Sequence, residues 1–423
     1  MYRRSDAEAQ SPPQRRSKMA EAAPKRQRGW RSRLLHTPRR AIKPILANAM
    51  IALREAPAWF SAFAYNEFSK EAMLTSAPPW VANPAGWPPR PITPHDDLLI
   101  TEWLQQQGIT VSAAIAAQAV EAVAQERLYH PVREYLDGLS WDGMPRLNTW
   151  LADYFGADEN LYTRSIGPCM LVAAVARIYV PGCKVDNVPI IEGPQGIGKS
   201  SALRMLFDPW FADEIADLGS KDAAMQAQGR WLIEWSELDS MSRSETASTK
   251  AFISRTTDRF RPPYGHRVIE SPRSCVFWGT TNAEGYLKDE TGGRRFWPIK
   301  AHRINVGGIR LMRDQLFAEA REQYFAGTPW WIDNSDLHQA AGAEQAGRYV
   351  GDPWDNIIQD LVKNKSELSI DQVLVAVGVE AGRRTQSEAN RVARCLKMLG
   401  WSRVQTGVGH DRKWIYKKGR KEG

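Results

Sequence analysis

The chain has 423 residues, 43% of them hydrophobic and 25% charged, with a net charge of +8. That is enough for two or three domains with real cores, on a prior of about 150 residues each. No run approaches the ~20 apolar residues of a membrane span. Cys169, Cys183, Cys275 and Cys395 stand far apart with no C-x-x-C pair, which argues against a zinc module or a disulfide scaffold and suits a reducing cytoplasm. Lys43 and Pro44 interrupt the apolar stretch after Arg39-Arg40, which argues against an export signal.

The charge is unevenly placed. Residues 1–40 carry a net +9 and residues 363–423 a net +8, which leaves an acidic body between two basic ends. The ends, more than the body, are therefore expected to meet a polyanion.

Residues 1–44 are rich in Arg, Lys, Pro and Ser and read as a disordered basic tail, either touching nucleic acid or solubilising the chain. Residues 45–160 read as a mostly helical N-terminal region, with the proline-laden stretch 77–94 as a linker or extended loop. Residues 161–348 read as an α/β domain. A buried helix over 162–180 is followed by the apolar strand Val188-Pro189-Ile190-Ile191.

After Glu192, the eight residues Gly193, Pro194, Gln195, Gly196, Ile197, Gly198, Lys199 and Ser200 fit G-x-x-x-x-G-K-[ST] between a strand and a helix, and Ser201 follows as a further candidate nucleotide contact. In that context glycines let backbone N–H groups converge on phosphates, and the helix N-terminus adds positive potential. Lys199 can reach the β- and γ-phosphates of ATP, and Ser200 can ligate Mg²⁺. The sequence therefore predicts a P-loop.

Hydrolysis needs companions. Trp231-Leu232-Ile233-Glu234 reads as a second strand ending in a carboxylate suited to the metal, with Glu237 three residues on. Residues 274–280 form a third strand running into Asn282, which could orient water against the γ-phosphate. Arg294 and Arg295 follow Gly292-Gly293 and suit an arginine finger acting across a subunit interface.

Residues 352–423 have their own order. Ser369 and Thr385 open two helices with capping-box spacing, and alternating strands follow around a glycine-containing turn. Helix, helix, hairpin predicts a winged-helix domain. Val392 and Leu396 face its core, while Arg391, Arg394 and Lys397 project elsewhere and are candidate DNA contacts.

Together, Lys184-x-Asp186, the glycine loop, Lys221-Asp222, Trp231–Leu238, Arg261-x-Pro263-Tyr264-Gly265, Thr280-Thr281-Asn282 and Gly293–Trp297 stand in one order. The sequence in this respect resembles the virulence-associated E family of phage and plasmid replication proteins, related to superfamily-three helicases of the AAA+ type. The resemblance implies an α/β AAA+ core assembling as a ring, usually a hexamer. It implies phosphate and Mg²⁺ binding at Lys199 and Ser200, an acidic motif at Glu234 and Glu237, a sensor at Asn282 and a trans finger at Arg294 or Arg295. Such motors place a channel hairpin before the sensor strand, so Arg261, His266 and Arg267 are further candidate DNA contacts.

Two departures stand out. The acids are separated by Trp235-Ser236 instead of adjacent, which leaves open which of them activates water. Residues 1–130 hold no carboxylate cluster suited to a primase. The reading is an ATP-dependent, ring-forming DNA helicase acting on a single strand or fork. The alternatives are a DNA-stimulated ATPase that loads or remodels replication proteins and an ATP-switched DNA-binding regulator.

Overall fold

The computed structural model describes residues 29–82, 85–213, 222–236, 249–261, 268–287, 295–348, 352–406 and 413–418. Its contacts divide the chain into two units, Met1–His130 and Pro131–Gly423. The boundary thus falls thirty residues before the one expected from sequence, and the helices over 131–138 and 150–155 belong to the second unit.

The first unit contains helices α1 (Leu46–Glu55), α2 (Pro94–Gln106) and α3 (Ala113–Ala124). Strands β1 (Phe63–Asn66), β2 (Glu71–Leu74), β3 (Arg90–Pro91) and β4 (Leu128–Tyr129) form one sheet, in the order β3-β2-β1-β4. Helix outweighs strand here, as expected for this region, but the sequence reading did not expect the small sheet. The basic-tail reading also ends early, because Leu34 is buried and Trp30 packs on the core. The stretch expected as a linker is folded in as well, with Trp80 and Trp87 against the same core and β3 paired to β2. Trp59 lies at the centre, stacked on Phe63 at 5.0 Å and edge-on to Trp80 and Trp103.

Helix α2 starts with a capping box. Thr93 accepts from the Asp96 N–H, and Asp96 accepts from the Thr93 N–H at 2.8 Å. Arg90 donates to both Asp96 oxygens, at 2.6 and 2.8 Å. Burial alone would raise the Asp96 pKa, but the bonds from Arg90 and Thr93 outweigh it and hold the carboxyl at about 2.

The second unit opens with α4 (Pro131–Gly138), α5 (Trp150–Phe155) and α6 (Leu161–Tyr179). Then come β5 (Val188–Glu192), α7 (Lys199–Phe207), β6 (Phe211–Ala212), α8 (Ala223–Gln226) and β7 (Leu232–Trp235). A hairpin of β8 (Thr257–Phe260) and β9 (Ile269–Pro272) leads into β10 (Val276–Thr281) and β11 (Phe296–Lys300). The sheet order is β11-β5-β10-β7-β6, and every pairing in it is parallel. Strands β5 and β10 are buried along their whole length, which is why they read as apolar runs without alternation.

Helices α9 (Val306–Phe325) and α10 (Ser335–Gly347) complete this part. Trp231, just before β7, stacks on Phe317 of α9 at 4.5 Å and donates from Nε1 to the Ala174 carbonyl of α6. This aromatic layer, with Phe207 and Trp278, ties the helices to the sheet.

The chain ends in α11 (Asp355–Val362), β12 (Glu367–Leu368), α12 (Ile370–Ala376), α13 (Gln386–Met398), β13 (Trp401–Thr406) and β14 (Lys413–Lys418). The strands pair antiparallel in the order β12-β14-β13 around a core of Ile358, Val373, Leu396 and Trp401. Both expected capping boxes are present. The sequence reading missed α11 and the two-residue β12. Among the described residues no helix is long and apolar enough to cross a membrane.

Candidate functional site

The parallel register brings the carboxyl ends of β5, β10 and β7 side by side, with β10 in the middle. The glycine loop leaves β5 at this edge and enters α7. Gly193 has φ 154°, and a Cβ there would lie 2.7 Å from both the Ala301 carbonyl oxygen and Ile197 Cδ1. Gly198, at φ 98°, turns the chain into α7 and supplies no side-chain cap, so the first N–H groups of the helix have no capping oxygen. A nine-residue helix with an uncapped start beside a glycine loop suits an anion.

Lys199 is buried to 8% exposure, and its ammonium donates to the carbonyls of Gly193 (2.8 Å) and Pro194 (2.9 Å) and to Asn282 Oδ1 (2.7 Å). Burial lowers the Lys199 pKa from its ordinary value, and the nearby Glu234 charge acts in the opposite direction. Lys199 and Asn282, 83 residues apart, thus meet at the loop.

Glu234 is 2% exposed. Its Oε1 accepts from Ser200 Oγ at 2.6 Å and from Thr280 Oγ1 at 2.7 Å. Its Oε2 is buried with no hydrogen-bond partner among the described residues. An orphaned carboxylate oxygen costs on the order of 1–3 kcal/mol or more unless something compensates it. A hard divalent cation would compensate it, with the Ser200 hydroxyl as a second oxygen ligand. The residues present therefore fit Mg²⁺ held together with a phosphate.

Thr280 is a site residue that the sequence reading quoted but gave no role. Trp278 pairs with Glu234 in the β10–β7 register, and Thr280 stands two residues further on the same face, so the alternation carried the signal. A second unread group lies beneath the loop. Glu192, the last residue of β5, accepts from Tyr286 OH at 2.7 Å and from Arg348 at 2.9 and 3.0 Å. Arg348 also pairs with Glu344 of α10. Burial would lower the Arg348 pKa, but the bonds and charge of Glu192 and Glu344 raise it beyond the ordinary value. A cavity of about 470 Å³ opens beside these groups, lined by Gly193, Pro194, Asn282, Lys300, His302 and Arg348.

The other expected residues lie apart from this cluster. Arg295 immediately precedes β11, at the amino end of the sheet, and lines a different cavity. The length of β11 puts that end about 15 Å from the loop edge. Arg261 is exposed beyond the end of β8. The hairpin it belongs to is anchored by a buried pair, Arg273 with Asp258, at 2.6 and 2.7 Å. Arg394 and Lys397 are exposed on α13. Arg391 is not a freely projecting cation. It makes two 2.6 Å bonds to the buried Asp352 and stacks over Trp354 at 3.8 Å. Glu237, His266, Arg267 and Arg294 lie outside the described residues.

The sequence matches the virulence-associated protein E-like domain over residues 136–349. No curated protein matches it. Among solved structures, the apo C-terminal region of NrS-1 is similar at 11% identity, covering 84% of this chain and 96% of that one, with a TM-score of 0.46. Its A form gives 12% identity over the same shares, with a TM-score of 0.42.

Proposed function

The chain belongs to the virulence-associated protein E-like domain family, and from that premise we propose an ATP-dependent, ring-forming DNA helicase of phage or plasmid replication. The observation that carries this reading is the meeting of Lys199, Ser200, Glu234, Thr280 and Asn282 at the ends of three adjacent strands. In this reading residues 161–348 form an AAA+-type P-loop core and 352–418 a winged helix.

The loop N–H groups and the start of α7 receive the triphosphate, and Lys199 exchanges its carbonyl contacts for β- and γ-phosphate oxygens. Ser200 and Glu234 would hold Mg²⁺, which neutralises charge on the phosphates. Asn282 orients a water in line with the γ-phosphorus, and Glu237 takes its proton as the new P–O bond forms. The bond to the bridging oxygen of the β-phosphate breaks, releasing ADP and phosphate. A hexameric ring, expected from the family resemblance, would present the β8–β9 hairpin with Arg261 to a single strand, while Arg394 and Lys397 of α13 contact phosphates of duplex or fork.

The test is ATP hydrolysis and strand displacement on a forked duplex with the full chain and Mg²⁺. Both activities are expected, and Lys199→Ala should lower hydrolysis at least about a hundredfold with its melting temperature retained. Hydrolysis that is equal in the variant would falsify the catalytic role of the loop. Hydrolysis without displacement would replace the helicase reading with a DNA-stimulated ATPase that loads or remodels other proteins.

A further inference from the structure

At the opposite end of the sheet, before β5 and β11 begin, lies a cavity of about 660 Å³. Its walls bring together Lys184, Asp186, Asn187, Arg295, Trp330 and Trp331. These come from three segments as much as 147 residues apart in the chain, and none of them takes part in the cluster around Lys199.

The chemistry of the cavity is specific. Trp330 is fixed by its Nε1, which donates to the Lys184 carbonyl at 3.0 Å, and it meets Trp331 edge to face at 5.1 Å. Trp331 is 50% exposed, an unusual cost for an indole with no ring partner beyond Trp330 among the described residues. Lys184 and Asp186 pair with each other at 3.3 Å, which cancels their charges. The Arg295 side chain makes no hydrogen bond or ion pair among the described residues, so among them the cavity keeps one uncompensated cation. Asn187 also has no hydrogen-bond partner among them and offers a donor and an acceptor.

A half-exposed indole, with a guanidinium and an amide that have no partner among the described residues, fits a nucleobase with its phosphate. Stacking recognises the π-face of any base, the amide meets its edge and the guanidinium its phosphate. A free nucleotide or a base within a strand could supply this chemistry. The rings outside the cavity favour the strand, because aromatic contacts continue from Trp330 to Tyr324 at 6.2 Å and on to Tyr179, stacked at 5.4 Å. Phe325 stands against both tyrosines and is 52% exposed.

We propose that this cavity is a single-stranded nucleic-acid site, taking one base against Trp331 and its phosphate on Arg295. The assignment rests on the helicase reading only in choosing a strand as the natural source of the base. It gives Arg295 a role other than the trans finger expected from sequence.

The test uses the full chain, a labelled oligothymidylate of about ten nucleotides and fluorescence anisotropy without ATP. Trp331→Ala should weaken binding about tenfold, while Trp331→Phe, which keeps a stacking face, should stay within about twofold. Arg295→Ala should weaken it and lower the slope of log K against log salt by about 0.7, the share of one single-strand phosphate. Binding of a fluorescent ATP analogue to Trp331→Ala serves as the folding control and should be unchanged. Unchanged oligonucleotide affinity in both Trp331→Ala and Arg295→Ala overturns the site. Thymidine monophosphate competing as strongly as the oligonucleotide overturns the strand as its occupant. If the wild-type chain binds the oligonucleotide as described but hydrolyses no ATP, the cavity assignment stands and the helicase reading fails.

Discussion

Cations are held differently at the glycine loop and on α13. At the loop, Lys199 and Arg348 are tied to named oxygens, Lys199 to carbonyls and an amide and Arg348 to Glu192 and Glu344. On α13 only Arg391 is held in this way, while Arg394 and Lys397 point into solvent. A buried, bidentate cation shapes the fold, because removing it strands its partner. An exposed one costs little to remove and remains available to a polyanion. Position on a helix face does not separate the two kinds, since Arg391 and Arg394 are three residues apart.

The largest expected effect on stability is at Arg348. Its removal leaves Glu192 charged and nearly buried beneath the loop, and breaking such a pair costs about 3 kcal/mol. Arg348→Ala should therefore lower the midpoint of chemical denaturation clearly. The double variant Glu192→Gln/Arg348→Met should recover part of the loss, because no charge is then left alone. Equal stability of Arg348→Ala and wild type would show that the pair is screened by solvent and not part of the loop's support.

At Glu234 the expected effect falls on turnover. In Glu234→Gln the amide oxygen can still accept from Ser200 and Thr280, so the local packing survives. What is lost is the second charged oxygen, and Mg²⁺-dependent ATP binding should weaken with it. A hundredfold fall in hydrolysis corresponds to about 2.7 kcal/mol. Titrating ATP with and without Mg²⁺ separates the outcomes. If Mg²⁺ strengthens binding equally in variant and wild type, the cation is not held by Glu234.

The loop's place in the fold was legible because its spacing is local: eight consecutive residues carry the pattern, and the strand and helix expected on either side are present. Glu192 with Arg348 was not legible, since the partners stand 156 residues apart and a glutamate ending a strand looks like any residue leaving a sheet. The first unit misled for a different reason. Its strands are four and two residues long, and Glu71-Ala72-Met73-Leu74 is made of good helix formers. Tertiary pairing overrides that preference, and Trp80 and Trp87 turn a proline-rich stretch into part of a core. The order helix, helix, hairpin was readable from capping boxes and glycines, whereas two-residue β12 carries no pattern of its own.

A smaller effect is expected from Arg391→Ala, at about 2 kcal/mol of stability. It loses two 2.6 Å charge-assisted bonds and a stacked contact, and leaves Asp352 buried. DNA affinity measured well below the melting temperature should change little. A variant with normal stability and weakened DNA binding would return Arg391 to the surface role that its helix position suggested.

The smallest effect on stability belongs to the double variant Arg394→Ala/Lys397→Ala. Both residues are exposed, and neither side chain makes a hydrogen bond or ion pair among the described residues. Surface substitutions of this kind stay within about 0.5 kcal/mol, and alanine on a helix offsets part of even that. If α13 meets duplex or fork, the same variant should lose affinity at every sequence alike and show a shallower salt dependence, by up to about 0.9 per phosphate contact removed. Stability and DNA affinity should therefore diverge in this variant. A salt slope equal to that of the wild-type chain would remove α13 from the DNA interface, whatever happens to stability. A marked fall in melting temperature would show instead that exposure on this helix is a poor guide to which cations the fold depends on.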